Sequence, residues 1–413
     1  WNKPMEQLTS RERNWVEQYL ADRCSPEVTQ WRQKLYAQRK EWNQLVKPIP
    51  EVMVMKELSQ PMPAYILQRG LYDNRGEMVT ANTPAILPPM EADLPRNRLG
   101  LARWLFTDKH PLTARVAVNR LWQQMFGVGL LDSSDNFGTQ GGRPTHPDLL
   151  DWLAVEFARP AEQQARPWDI QRILKMLALS ATYRQESKTT AQQASADRDN
   201  HWLSRYPGRR LSAGMLRDQA LAYSGLLVEK QGGPPVKPYQ PEGLWEVAMG
   251  NPRYDRGQGP DLYRRSLYSF WKRTVPPPAM ITFDAAERNI CVVKRQSTST
   301  PLQALALLND VQMVEAAKMF GQRMFEQPGT LSERLAWGFR LALARTAREQ
   351  ELQILMQLWQ EQHNSFQKDP EAARKLLAVG DSKPKPDNPE VDLAAYTITA
   401  LAILNHDGVV HRR

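Results

Sequence analysis

The stretch IQRILKMLALSA at residues 170–181 decides the fold. Ile170, Ile173, Leu174, Leu177, Ala178 and Ala181 stand at i, i+3, i+4, i+7, i+8 and i+11, one face of a 3.6-residue helix. The same period continues outward on both sides. Upstream, Pro111 opens a helix that closes at Gly127, with Leu112, Val118, Leu121, Trp122 and Met125 on one face. Pro147 opens another, with Leu149, Leu150, Leu153 and Phe157 turned inward. Downstream, Ser212 is an N-cap for Leu216, Ala220, Tyr223 and Leu227. Thr300-Pro301 starts a helix whose inner face reads Leu302, Leu305 and Leu308. Asn309-Asp310 caps a continuation through Met313, Val314, Ala317, Phe320 and Met324. Thr346 with Glu349 has the form of a capping box before Leu352, Leu355, Met356 and Trp359. A loop from Gly380 to Pro389 leads to a last apolar helix ending near Asn405. The expectation is a mainly α, irregular multi-helix domain of about nine to twelve helices, without a fixed-period repeat.

Toward the N-terminus the character changes twice. Residues 1–47 are polar and helical, with Trp15, Tyr19, Trp31, Leu35, Trp42 and Leu45 at helical spacings and a break at Ser25-Pro26. They read as a helical hairpin that ends a preceding region and lies on a larger body. In residues 48–95, Pro48, Pro50, Pro61, Pro63, Pro84, Pro88, Pro89 and Pro95 forbid long helices. Val52, Val54 and Tyr65-Ile66-Leu67 suggest short strands, and Asp73-Asn74-Arg75-Gly76 a turn, so this part is an extended strap with a minor β component. Residues 96–413 form the helical C-terminal domain. A chain opening on Trp1 is expected to be a segment of a longer or processed protein.

Composition excludes several classes. The 413 residues carry 54 basic and 45 acidic side chains, a net charge of +9 that a solvated surface accounts for. Thirteen Trp call for helix–helix anchors. The longest apolar run, Leu393–Leu404, falls short of the ~18 residues a membrane helix needs. No C-x-x-C-H occurs, so no c-type haem is attached covalently to this segment. Cys24 and Cys291 either pair or stand alone; spacing leaves this open. H-E-x-x-H and G-x-S-x-G are also absent. His110 and His146 each precede Pro, which fits local capping, and His406 and His411 fit a frayed tail. Asp132, Asp135 and Asn136 have the composition of a calcium loop without its closing Glu, so no metal or catalytic residue is assigned.

The densest chemistry lies in RRSLYSFWKRTVPPPAMITFDAAERNICVVKRQSTSTPLQALALLND, residues 264–310. With Arg253 and Arg256 just ahead, this segment gathers planar guanidinium forks that fit carboxylate, sulfate or phosphate. One reading makes it a pocket for an anionic glycan, with aromatics to stack sugars. The candidate binding set is Arg264, Arg265, Lys272, Trp271, Asp284, Arg295 and His146. The other reading has Asp255, Asp261, Asp284 and Glu287 neutralise the cluster in a buried network that holds an irregular loop. Neither a single basic face nor a nucleic-acid motif is evident.

This segment, together with NRLWQQMFGVGLLDSSDNFGTQGGRPTHPDLLDWLA (119–154), RRLSAGMLRDQ (209–219) and ALAILNHD (400–407), resembles the C-terminal domain of unknown function of planctomycete-type cytochrome c proteins. The strap VMVMKELSQPMPAYILQRGLYDNRGEMVTANTPAIL (52–87) resembles the lead into that domain; Gly408 departs from the usual acidic residue. The resemblance implies an exported, periplasmic or extracellular bacterial protein with c-type haem in an N-terminal domain and no cofactor in this segment. It supplies no catalytic residues. The expectation is a scaffold or docking module for electron transfer or for a partner enzyme, with the haem domain or another protein as partner. The alternatives are a binder of, or enzyme on, anionic glycans through residues 253–295, and a purely structural cell-surface or assembly component. Neither nucleic acid nor a membrane span is expected.

Overall fold

The computed structural model describes residues 4–49, 51–246 and 253–412. Two compact units divide it: Trp1–Ala85 with Pro89–Arg103, and Ile86–Pro88 with Trp104–Arg413.

In the first unit, α1 (Ser10–Cys24) and α2 (Pro26–Val46) form a hairpin broken where expected, with Ser25 capping α2 by accepting from Val28 N. Its apolar stripe is uncovered: Trp15, Trp31 and Trp42 are 69%, 70% and 66% exposed. The strap contains one antiparallel pair, β1 (Ala64–Leu67) with β2 (Arg75–Val79). Val52 and Val54 belong to no strand. The helix α3 (Arg98–Leu105) follows.

The second unit opens with α4 (Thr113–Phe126), α5 (Pro147–Ala158) and α6 (Ile170–Leu179), which share a small core of Val118, Trp122, Phe126, Leu153, Phe157, Ile173 and Leu177. Ile173 and Leu177 are buried, but Ile170 is exposed and Ala181 lies past the helix end, so the inner face is narrower than its apolar residues. Asn119, fully buried, holds the following loop by exchanging two hydrogen bonds with the Leu131 backbone.

After α7 (Ala191–Ala196) and β3 (Arg209–Arg210) come α8 (Ala213–Ser224), α9 (Pro278–Thr282), α10 (Pro301–Asn309) and α11 (Val311–Phe325). The rest is α12 (Leu331–Leu343), α13 (Glu349–Lys368), α14 (Pro370–Leu377), α15 (Glu390–Leu404), α16 (Asp407–Val410) and β4 (His411–Arg412). The larger core centres on α11 packed against α15. Gly321 makes their approach possible: a Cβ there would lie 2.9 Å from the Tyr396 carbonyl carbon.

The fold is mainly α, with sixteen helices and two two-stranded sheets among the described residues. The excess over twelve helices comes from short pieces such as α7, α9 and α16, too brief to show a period. Three local readings need correction. Leu302, Leu305 and Leu308 face outward at 59%, 56% and 45% exposure, because α10 docks through Gln303 and Leu307 instead. Gln303 donates to Thr282 O at 2.9 Å, a polar anchor that outranks the leucines. The cap of α13 is Arg348, not Thr346, and its N–H donates to Glu351 at 2.8 Å. The C-terminal segment is not frayed: β4 pairs with β3, Arg209 opposite Arg412 and Arg210 opposite His411.

Candidate functional site

Arg264 is 2% exposed and donates to the carbonyls of Lys230 (3.0 Å), Gly232 (2.5 Å) and Pro234 (3.1 Å). Its guanidinium lies 3.9 Å from the centre of the Tyr268 ring. Carbonyls, not the expected carboxylates, satisfy it. The acidic neighbours are engaged otherwise: Asp255 with Arg253 at 3.6 Å in solvent, Asp284 with Arg210, and the Glu287 carbonyl with Trp271 Nε1 at 2.9 Å. Arg265 reaches Glu229 only at 3.7 Å, and both are exposed. Lys272 sits 4.6 Å from the Trp245 ring centre, and Arg288 covers Trp271 at the same distance. His146 occupies the N-cap position of α5 without capping it, its Nδ1 3.0 Å from Thr145 Oγ1. His110 does cap, its Nδ1 accepting from the backbone of Leu112 and Thr113, and burial lowers its pKa.

A polar layer on α11 supports this corner. Arg217 donates to the carbonyls of Leu262 and Arg264 and to Gln312. Glu315 accepts from Tyr263 (2.8 Å), Ser382 N (2.6 Å) and Gln312 (3.3 Å). Lys318, fully buried, donates to the carbonyls of Leu377, Val379 and Ser382. Burial lowers its ammonium to about 8 and pushes the Tyr263 hydroxyl well up.

Asp284 and Arg295, alone of the candidate set, line one cleft of about 440 Å³, with Arg209, Arg210 and the start of α8. Several local features build it. Ser212 caps α8, accepting from Met215 N at 3.5 Å. Gly127 ends α4 at φ 84°, and a Cβ there would meet the Arg209 stem at 3.1 Å, so glycine serves both the turn and the arginine. Asp284 stands at φ 58°, a left-handed conformation Asp tolerates better than most residues. Its carboxylate accepts from Thr298 N (2.8 Å), Thr298 Oγ1 (2.9 Å) and Arg210 Nη2. Burial alone would raise this carboxyl, but the Thr298 and Arg210 contacts outweigh it and hold it below the ordinary range.

The charges do not balance. Three guanidiniums, Arg209, Arg210 and Arg295, share the cleft with one carboxylate and a helix N-terminus, itself a partial positive charge. The Arg210 side chain is 5% exposed; Nη2 donates to Asp284 and to Phe283 O, while Nε and Nη1 have no acceptor among the described residues. Arg209 Nε has none either. Arg209 and Arg210 were missed as site residues. Their signal was present: two arginines, with Leu211 between them and the Ser212 cap, sit at the helix end where cations are disfavoured.

A model of a family of proteins of unknown function (DUF1553) matches residues 97–359. The chain belongs to that family. No curated protein and no solved structure matches the chain. The DUF1553 match takes in both the Arg264 corner and the cleft, while α14, α15 and the β3 partner β4 lie beyond it. Among the described residues of this DUF1553 member, no cluster of His, Cys, Asp and Glu could hold a metal, and no helix is long and apolar enough to cross a membrane. Cys291 is free and exposed; the Cys24 side chain lies outside the described residues.

Proposed function

We propose that this chain is a docking domain of a larger exported bacterial protein, holding a haem domain or a partner enzyme in place. One observation carries the reading: α10 turns Leu302, Leu305 and Leu308 to solvent while its opposite face is anchored in the core. An ordered apolar stripe of this kind suits a protein partner. The Arg264 corner supports it, since those cations hold loops together and are not presented to a substrate. Export and the haem partner rest on the family resemblance.

The test mixes the chain with the haem-bearing region of its full-length protein in sedimentation experiments. Leu302→Ser with Leu305→Ser should weaken association at least about tenfold, the loss of two apolar anchors, and leave the helical circular dichroism unchanged. Association that ignores both substitutions removes α10 as the docking face. A full-length gene without C-x-x-C-H removes the redox part. For the glycan alternative, Arg264 is held by backbone carbonyls, Lys272 lies over the Trp245 ring and the Trp271 Nε1 donates to the Glu287 carbonyl, while Asp284 and Arg295 line one cleft.

A further inference from the structure

We propose that the cleft at the start of α8 is a seat for one oxyanion, a carboxylate or sulfate ester borne by a larger acidic ligand. The inference is independent of docking through α10.

Electrostatics supplies the first argument. A helix N-terminus favours anions, yet here it is preceded by Arg209 and Arg210 and shares its cleft with Arg295. Clustering like charges at the wrong helix end costs free energy unless something negative enters. Among the described residues Asp284 is the sole carboxylate lining the cleft, and it is already committed to Thr298 and to one nitrogen of Arg210.

Hydrogen-bond accounting supplies the second. Buried donors nearly always find acceptors, and a charged one left without them is expensive. Arg210, nineteen-twentieths buried, keeps Nε and Nη1 without protein acceptors, and it lines the cleft. Both nitrogens are themselves closed to solvent, so an oxyanion in the cleft would meet the Arg210 charge rather than these two donors, and it would offset the three guanidiniums as water does not. Arg295, exposed and unpaired among the described residues, lines the same cleft.

Size and lining supply the third. About 440 Å³ exceeds what a lone ion fills, so the body of a ligand fits behind its charged group. Met215, Val292 and Val293 give that body an apolar wall.

Calorimetry on the 413-residue chain at low ionic strength tests the proposal, with sodium sulfate as probe and chloride at matched ionic strength as control. Saturable one-to-one binding of sulfate is expected. Arg295→Ala and Arg209→Ala should each weaken it roughly tenfold, the loss of one charge-assisted hydrogen bond, while Arg374→Ala on α14 leaves it unchanged. Arg295 is exposed, so its removal leaves the fold intact even if Arg210→Gln does not fold. Asp284→Asn should tighten sulfate binding several-fold. Asn keeps the left-handed turn and an acceptor for Thr298 but removes the competing charge, a gain that a merely structural Asp284 would not produce. Two further ligands separate the sources: a chondroitin sulfate oligosaccharide and an oligogalacturonate. Preference for the first assigns a sulfate ester, and for the second a carboxylate. No saturable sulfate binding, or Arg295→Ala and Arg209→Ala that both bind as tightly as the unaltered chain, overturns the proposal.

Discussion

Arg264 and Arg210 are both buried arginines in one helical body, and they are held in opposite ways. Arg264 reaches three loop carbonyls and an aromatic face, leaving only Nε without an acceptor. Arg210 meets one carboxylate, one carbonyl and, at 5.4 Å, the Phe283 ring, and leaves Nε and Nη1 buried without an acceptor beside a cleft with excess positive charge. A guanidinium whose two terminal nitrogens are both held by backbone acts as a staple. One left half-satisfied beside a basic cleft is where the proposed oxyanion would add negative charge. Clustering of arginines in the sequence does not separate the two cases; the count of acceptors does.

Removing the staple should give the largest effect. Arg264→Ala strands the carbonyls of Lys230, Gly232 and Pro234 and opens a void against Tyr268, at a cost of about 3 kcal/mol or more. Arg264→Lys should recover little, since an ammonium cannot span three carbonyls in the geometry of a planar fork. Arg295→Ala should stay within about 0.5 kcal/mol. Urea denaturation reads all three, and equal losses at Arg264 and Arg295 would erase the distinction between staple and seat.

Asp284→Asn comes next. It removes the one counter-charge of a buried guanidinium, which should destabilise the free chain by about 2 kcal/mol. Because the folded carboxyl lies below its ordinary value, its stabilising contribution is present above the unfolded pKa of ~3.9 and is lost as pH falls. Thermal melts with and without sulfate sharpen the contrast. The anion should raise the melting temperature of Asp284→Asn more than that of the unaltered chain, and an equal rise in both would place the anion elsewhere.

These contrasts show what the sequence could carry. The long helices α4, α5, α6, α8 and α11 were legible because each buries an apolar face long enough to repeat. The α10 face was misread because a polar side chain, Gln303, set its orientation. Asp284 and Arg295 belonged to the basic segment that drew attention first, but the cleft also needs Arg209 and Arg210, some seventy to eighty residues earlier. The contacts of Arg210 with Asp284 and the Phe283 carbonyl, made at a left-handed turn, join the two, and they leave no periodic trace. The pairing of Arg264 with carbonyls was equally hidden, since every residue offers one and no residue type announces it.

Lys318 extends the comparison to a second cation held by backbone, this time one that titrates. Its ammonium is lowered to about 8 by burial, while the unfolded chain titrates near ~10.4. Between those values only the unfolded chain holds the proton, so stability should rise with pH, by about 1 to 2 kcal/mol from pH 8 to 10. Above pH 10 the slope should reverse. Tyr239 and Tyr254, raised to about 12 chiefly by burial, ionise first in the unfolded chain. Lys318→Met should flatten the rise between pH 8 and 10 and leave the later fall. A rise of the same size in that variant would assign the slope to another group.

The smallest effect belongs to a half-exposed pair, Arg345 with Glu351, joined by hydrogen bonds of 2.6 and 2.8 Å. The Arg345 contact, reinforced by the Arg348 backbone N–H, lowers the Glu351 carboxyl to about 2. Its contribution is present above the unfolded pKa of ~4.3 and disappears as pH falls from there toward 2. Arg345 is 40% exposed, so solvent screening should keep the total below about 1 kcal/mol. Glu351→Gln should therefore lose little at pH 7 and show a shallower acid limb in urea titrations between pH 5 and 2. A loss at Glu351 as large as that at Arg264 would mean that exposure does not rank these charged contacts, and that counting acceptors is the wrong measure of what holds this fold.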